Sequence, residues 1–230
     1  MITDERELAE AGGPERKLGG PNRGQIIALV VALCFLSGVI GWWIAQPGEQ
    51  SFNQVDVGFL SDMETHHNGA ISMSFVFLGR EHDRLVGHFA REIILAQTQE
   101  IVVMNGLLTE AGNPSSVGDD VAIEWMGMAV PPAQMPGMAT EEQLAQLGAA
   151  QGLDADEQFT RLMMRHHAAG AAMADFAVAH GENDRVKNLA AAMARVQRTE
   201  IREMNARRTA LGLPVVPSAE LKELEDGHAH

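Results

Sequence analysis

Two histidine pairs are the residues of this chain whose type and spacing best suit the binding of a metal ion. They are His66-His67 and His166-His167, and each pair is followed six residues later by a methionine, Met73 or Met173. Each residue of a helix advances about 100°, so both histidines of a pair would face roughly the same side of their helix. We expect the two pairs to meet across a helical bundle, where facing helices often bind metals.

The available ligands, imidazole nitrogen and thioether sulfur, narrow the choice of metal. Imidazole suits copper, zinc, iron and nickel, whereas thioether sulfur selects Cu(I). Calcium and magnesium require oxygen ligands. A lone histidine on an apolar helix face is usually a hydrogen-bonded core residue, but a repeated pair with a matched methionine favours ligation. The sequence therefore predicts a copper site, with Cu(I) favoured over Cu(II), whose ligands are His66, His67, Met73, His166, His167 and Met173.

Other methionines and two glutamates stand where they could add ligands or orient them. Methionine fills a core more often than it binds a metal, so both interpretations stay open. The matched glutamates, Glu100 and Glu200, are either solvated helix charges or partners that orient the histidines. The methionines at matched positions are Met63, Met163, Met104 and Met204.

A methionine-rich segment lies between the two histidine pairs. Its methionines recur at spacings of two and three residues, which suits a low-coordinate Cu(I) capture site as well as an ordinary loop. These methionines are Met126, Met128, Met135 and Met138.

The histidine pairs belong to an internal duplication. Residues 56–114 and 156–214 share sixteen identities over 59 positions at a fixed offset of 100. The identities include both histidine pairs and, later in each unit, a glutamine, a glutamate, a methionine, a glycine and a proline. Equivalent elements should therefore position both pairs.

Each repeat has the pattern of two helices. An aspartate begins and a glycine ends each apolar stretch with helical spacing. The expected N-caps are Asp56, Asp83, Asp156 and Asp184, and the expected terminators are Gly79, Gly112, Gly181 and Gly212. Two such hairpins predict an all-α fold, a four-helix bundle. In the connector, residues 115–155, a Thr140-x-x-Gln143 box predicts a short helix.

Residues 24–46 predict a transmembrane signal anchor. The stretch Ile26–Ala45 carries no charge and meets the ~20 apolar residues that a spanning helix needs. Trp42 and Trp43 occupy its end, where a signal peptide would have a small-residue cleavage site, so an uncleaved anchor is favoured over a cleaved one.

The charges that flank this span predict its orientation. Arg16, Lys17 and Arg23 precede it, and positive residues stay on the cytoplasmic side. Residues 1–23 would then form a flexible cytoplasmic tail and residues 51–214 an extracytoplasmic bundle, followed by a C-terminal tail at 215–230. The expected location is the cytoplasmic membrane, with most of the chain facing the periplasm or the cell surface.

Composition excludes several classes of protein. A net charge of -14 argues against nucleic-acid binding, which needs a basic surface. The single cysteine, Cys34, excludes an intrachain disulfide framework and a cysteine zinc site. The chain has no tyrosine and only 5% aromatic residues, which favours helices over a β-sandwich.

The connector and the second repeat carry a recognisable family pattern. It comprises Met135-Pro136-Gly137-Met138 and the run Asp156-x-x-Phe159-x-x-x-Met163-x-x-His166-His167, which ends at Met173. With these motifs, and Gln97-x-x-Glu100-Ile101-x-x-Met104 in the first repeat, the chain resembles the domain of unknown function 305 family over about 54–214. The resemblance implies a ferritin-like helical exported protein. Some members bind copper and contribute to copper tolerance, and the matching histidines and methionines would be the ligands.

The favoured function is a membrane-anchored extracytoplasmic protein that buffers, sequesters or hands on copper. A ferritin-like metal-dependent oxidase is the runner-up, but di-iron sites of that class use two Glu-x-x-His motifs, which the repeats do not supply. A metal-free structural or interaction module is the third alternative. No catalytic constellation stands out, so we expect a protein that is not an enzyme; a homo-oligomer and a copper-delivery partner stay open.

Overall fold

A computed structural model describes residues 51–113 and 120–226. Over these ranges the chain is all-helical, apart from one isolated β-bridge between Ala122 and Val130. The all-α prediction is therefore confirmed. The helices are α1 (Gln54–Leu78), α2 (Arg84–Glu110), α3 (Glu141–Ala149), α4 (Leu153–His180), α5 (Asp184–Ala210) and α6 (Ser218–Asp226).

The four long helices form two hairpins, one for each repeat. In the first, α1 packs against α2; in the second, α4 packs against α5; and the hairpins meet mainly through α1 and α4. Two 3-10 turns, Glu124–Met126 and Pro132–Gln134, lie in the connector. Residues predicted as a C-terminal tail include α6, which packs against α4.

The helix ends differ from the sequence prediction at three N-caps. Asp83 caps α2 as predicted, and Thr140 and Gln143 form the predicted capping box of α3. The predictions for Asp56, Asp156 and Asp184 are wrong, because the caps are Asn53 for α1, Gly152 for α4 and Asn183 for α5.

Asp56 and Asp156 instead link the two repeats. The Asp56 carboxylate accepts hydrogen bonds from the backbone N–H groups of Glu182 and Asn183, at 3.1 and 3.0 Å. The Asp156 carboxylate accepts from the backbone N–H of Asp83 at 3.0 and 3.1 Å. Each repeat therefore supplies an anion to the start of the second helix of the other, where helix N–H groups lack intrahelical partners.

The apolar core consists of two clusters. The connector-side cluster contains Phe59, Met63, Met104, Met126, Met135, Met173 and Ala177 among its buried residues. The tail-side cluster contains Met73, Phe77, Phe159, Met163, Met204, Val216 and Leu221. Each cluster joins the beginning of one repeat's first helix to the end of the other's, so α1 and α4 run antiparallel. In the tail-side cluster the rings of Phe77 and Phe159 stack with centroids 4.2 Å apart.

Within residues 51–113 and 120–226, no helix is long and apolar enough to cross a membrane. The predicted anchor at 24–46 and the predicted cytoplasmic tail at 1–23 lie outside these ranges, as does Cys34.

Candidate metal centre

His66 and His166 meet where α1 crosses α4. Both side chains are fully buried, and their ring centroids lie 3.6 Å apart with planes tilted by 37°. Glycines permit this approach: a β-carbon on Gly170 would lie 3.1 Å from Cε1 of His66, and one on Gly69 would lie 3.5 Å from Nε2 of His166. The repeats therefore juxtapose the histidine pairs as their spacing predicts, whereas their role as metal ligands stays a prediction.

The first histidine of each pair contacts a backbone carbonyl. Nε2 of His166 lies 2.9 Å from the carbonyl oxygen of His66, across the interface between the repeats. Nε2 of His66 lies 3.3 Å from the carbonyl oxygen of Pro136 in the connector. A carbonyl oxygen only accepts hydrogen bonds, so each ring donates an N–H at Nε2.

The second histidine of each pair faces a glutamate on the following helix. Nε2 of His67 lies 2.7 Å from Oε2 of Glu100, with hydrogen-bond geometry. Nε2 of His167 lies 2.7 Å from Oε2 of Glu200, although its N–H does not point along a hydrogen bond. The hydrogen bond between His67 and Glu100 is the contact that a histidine-orienting role requires, and Glu200 lies at the equivalent place beside His167 without that geometry.

The interior of the cluster favours the neutral form of His166. Burial lowers the pKa of His166 well below its ordinary value of 6.5, and repulsion from His66, His167 and His67 lowers it further. All four histidine side chains are fully buried. A neutral imidazole is the form that binds a metal, since a proton and a metal compete for the same lone pair.

The methionine-rich connector closes over this cluster. Asp62 holds its first part, accepting hydrogen bonds from the backbone N–H of Ile123 and from Nε1 of Trp125, both at 2.7 Å. Met138 lies over Gly69, where a β-carbon would come within 2.9 Å of its sulfur. Met126 and Met135 are buried, and Met128 and Met138 are partly buried against the connector-side cluster. The connector is therefore part of the packed structure around the histidines.

Gly137 fixes the position of the connector against α4. Its φ is +80°, and a β-carbon would lie 2.8 Å from Cα and from the carbonyl oxygen of His166.

We expect Gly137→Ala to lower the free energy of unfolding by about 2 kcal/mol or more, since left-handed strain adds to a clash with backbone. Urea denaturation measures this change. Gly127→Ala is the matched control, because Gly127 has φ +79° and nothing within 4 Å of its β-carbon position. Equal destabilisation by both substitutions would contradict the proposed packing role.

The candidate methionines divide between the two clusters. Met63, Met104 and Met173 are buried in the connector-side cluster, and Met73, Met163 and Met204 in the tail-side cluster. In the part of the chain that the structure describes, no group of three or more His, Cys, Asp and Glu side chains could hold a metal ion. A site with three or more ligands therefore needs thioether sulfur as well as imidazole.

One Glu-x-x-His spacing does occur within the two repeats, from Glu64 to His67 in the first. Oε1 of Glu64 accepts a hydrogen bond from Nδ2 of Asn105 at 3.2 Å. The second repeat has Met164 at the matching position, so the pair of such motifs that di-iron bundles use is incomplete.

Gln97 and Gln197 are site residues that sequence reasoning did not single out. Both side chains are buried, and Oε1 of each lacks a hydrogen-bond partner. A β-carbon on Gly170, beside His66, would lie 2.5 Å from Oε1 of Gln197. Their identity between the repeats was the signal that could have identified them.

Comparisons with known proteins agree with this architecture. The family model described as a domain of unknown function (DUF305) matches residues 56–208. A putative secreted DUF305 protein from Streptomyces coelicolor is 33% identical with a TM-score of 0.64, covering 71% of this chain and 97% of its own. A DUF305 fragment from Deinococcus radiodurans is 31% identical with a TM-score of 0.58, covering 68% and 96%. CopM in its Cu(I)-bound form is 26% identical with a TM-score of 0.51, covering 68% and 96%. A search of curated proteins gave no match.

Proposed function

The chain belongs to the DUF305 family, and on this premise we propose that it binds copper at the histidine cluster between α1 and α4. The observation that carries the proposal is the set of four buried imidazoles, His66, His67, His166 and His167, at a crossing of two equivalent helices. The similarity to CopM, which has a Cu(I)-bound form, supports copper as the metal.

The copper site uses thioether sulfur together with imidazole. Met73 lies in the tail-side cluster and Met173 in the connector-side cluster, each six residues after the second histidine of its helix. Both side chains are fully or nearly fully buried. Thioether ligands favour Cu(I), and imidazole also accepts Cu(II). The connector methionines, above all Met138 beside His166, supply further sulfur.

The physiological role is to buffer, sequester or hand on copper outside the cytoplasm. The hairpins form a ferritin-like four-helix bundle on a membrane anchor at residues 24–46. The net charge of -14 attracts cations to the surface without choosing among them, so selectivity comes from the nitrogen and sulfur ligands. Export to an oxidising compartment favours thioether over thiolate ligands, because thioethers form no disulfides.

Competitive titration of the full chain in detergent with Cu(I), Cu(II), Zn(II) and Fe(II) tests the metal. We expect copper to bind more tightly than zinc or iron. Preferential Fe(II) binding would favour the oxidase alternative, and the absence of selective binding would favour a metal-free module; either result would overturn the proposal.

The methionine ligands have a test of their own. Met73→Leu with Met173→Leu keeps the core filled and removes both sulfurs, so Cu(I) affinity should fall by about tenfold or more while Cu(II) affinity changes less. Met164→Leu is the matched control, because Met164 is equally buried and has glutamate at its equivalent in the first repeat. An unchanged Cu(I) affinity in the double variant would remove Met73 and Met173 from the site.

A further inference from the structure

The connector and the helices α2 and α5 contact different parts of the histidine cluster. The connector closes over the first histidine of each pair, with Gly137 against the backbone of His166. The second histidine of each pair contacts a glutamate of α2 or α5 instead. These glutamates, Glu100 and Glu200, are 24% and 21% exposed, whereas the four histidine side chains are fully buried. Each carboxylate therefore joins a buried imidazole to solvent.

Three carboxylates gather where α2 and α5 approach each other. Glu92 of α2 lies close enough to Glu200 and Glu203 of α5 for their charges to act on it. Burial raises the pKa of Glu92, repulsion from these two carboxylates raises it further, and the charge of His88 lowers it. Nδ1 of His88 lies 3.5 Å from Oε1 of Glu92, and both side chains are about half exposed. The acidic cluster therefore extends from the protein surface to Glu200, beside the buried histidines.

The equivalent place in the first repeat, beside Glu100, lacks two of these charges. At an offset of 100, the residues that correspond to Glu92 and Glu203 are Ala192 and Val103. Val103 is an apolar side chain that packs against the connector-side cluster. A cation that approaches the histidines therefore meets more negative charge on one side than on the other, and the duplication alone does not account for this difference.

The inner end of the acidic cluster meets an imidazole that no hydrogen bond occupies. Nε2 of His167 lies 2.7 Å from Oε2 of Glu200 without hydrogen-bond geometry, and Nδ1 of the same buried ring also has no hydrogen-bond partner. A buried polar ring in this state costs free energy in a core that serves packing alone. Within residues 51–113 and 120–226, no group of three or more His, Cys, Asp and Glu side chains could hold a metal ion. The carboxylates therefore suit the passage of a cation rather than its retention.

We propose that the metal ion reaches the histidine cluster between α2 and α5, guided by Glu92 and Glu203. Glu200, at the inner end of this route, passes the ion to His167. The inference rests on the copper-binding function proposed above and adds the route by which the ion arrives. Negative charges that line one approach raise the local concentration of cations and their rate of association. Glu92 and Glu203 are positioning residues, because they act on the approaching ion and are not its final ligands.

The kinetics of Cu(I) binding by the full chain in detergent test the route. Release of bound Cu(I) into excess chromophoric chelator, extrapolated to zero chelator, gives the dissociation rate. Equilibrium competition with the same chelator gives the affinity, and the two together give the association rate. Glu92→Gln with Glu203→Gln should slow association by about threefold to tenfold at low salt, because two guiding charges are lost. The difference from the native protein should shrink at high salt, which screens exposed charges.

Glu141→Gln with Glu142→Gln is the matched control, because it removes the same charge from two exposed glutamates at the start of α3. This control should change the association rate by less than about twofold. Equal association rates for the two double variants would overturn the route. A loss of affinity in the Glu92 and Glu203 variant with an unchanged association rate would also overturn it, since these residues would then act on the bound ion. Failure of the native protein to bind Cu(I) would overturn the proposed function and this inference together.

Discussion

Replacement of His66, His67, His166 and His167 by phenylalanine is expected to reduce copper affinity by at least about 100-fold. Loss of an orienting partner alone costs 10-fold to 100-fold, so loss of every imidazole should exceed that range. Phenylalanine keeps a ring in each position and removes the ligating nitrogens. The carboxylates left behind, Glu100 and Glu200, are 24% and 21% exposed and can be hydrated.

Competition against a chromophoric copper chelator measures this affinity, and circular dichroism verifies that the variant keeps its helices. His88→Ala with His180→Ala is the control, because it removes two exposed histidines and leaves the cluster intact. Equal affinity of the phenylalanine variant and the native protein would exclude the cluster and direct attention to the methionines of the connector.

The duplication made much of the site predictable. Identities at a fixed offset of 100 placed both histidine pairs on equivalent helices, and a two-fold relation between equivalent antiparallel helices brings matched positions together at their crossing. His66 and His166 accordingly stack against each other. The contacts of Glu100 with His67 and of Glu200 with His167 follow from the same pairing of helices within a hairpin.

The caps show where local sequence signals fail. Asp56 has the residue type of an N-cap, but its carboxylate binds backbone N–H groups at the start of α5, 126 and 127 residues away. Asn53 takes the capping position because Asp56, three residues on, completes a capping box with it. A rule based on local spacing contains no information about contacts with the second repeat. It therefore assigns Asp56 as the N-cap of α1, although its carboxylate binds N–H groups at the start of α5.

The path of the connector could not be derived from its composition. Its methionines suggested sulfur ligands, but the closure over His166 depends on a left-handed Gly137 and on Trp125 packed over Gly58. Both are long-range contacts of an irregular segment, for which helical periodicity gives no guide. The path of the C-terminal segment could not be derived from composition either. This segment follows the second repeat as the connector follows the first, and it covers the tail-side cluster.

Arg208→Leu is expected to lower the free energy of unfolding by about 3 kcal/mol, because it removes the buried half of an ion pair with the 28% exposed Glu157 and leaves several hydrogen-bond acceptors without their donor. Arg208 is fully buried. Its guanidinium donates 2.8 Å hydrogen bonds to Oε1 and the backbone carbonyl of Glu157, to Oγ1 of Thr160 and to the carbonyl of Pro214. These bonds tie the chain after α5 to α4, where Val216 and Leu221 complete the tail-side cluster.

Leucine is the informative replacement, because the first repeat has Leu108 at the matching position, buried in the connector-side cluster. If shape alone mattered, leucine would be tolerated at both positions. Urea denaturation at pH 7 should instead show the full loss for Arg208→Leu and less than about 1 kcal/mol for Arg165→Leu, which removes a 41% exposed partner of Glu220. Comparable midpoints of urea denaturation for Arg208→Leu and Arg165→Leu would contradict a structural role of the buried Arg208.

The same ion pair predicts how stability depends on pH. Burial raises the pKa of Glu157, but the hydrogen bond and charge of Arg208, with Arg161, bring it below its ordinary value of 4.5. The unfolded chain therefore binds the proton more readily, so the stabilisation is present above pH 4.5 and is lost as pH falls further. The difference in stability between the native protein and Arg208→Leu should accordingly narrow in urea titrations below pH 4.5. A constant difference would mean that Arg208 acts through its backbone hydrogen bonds to Pro214 and Glu157 rather than through the Glu157 charge.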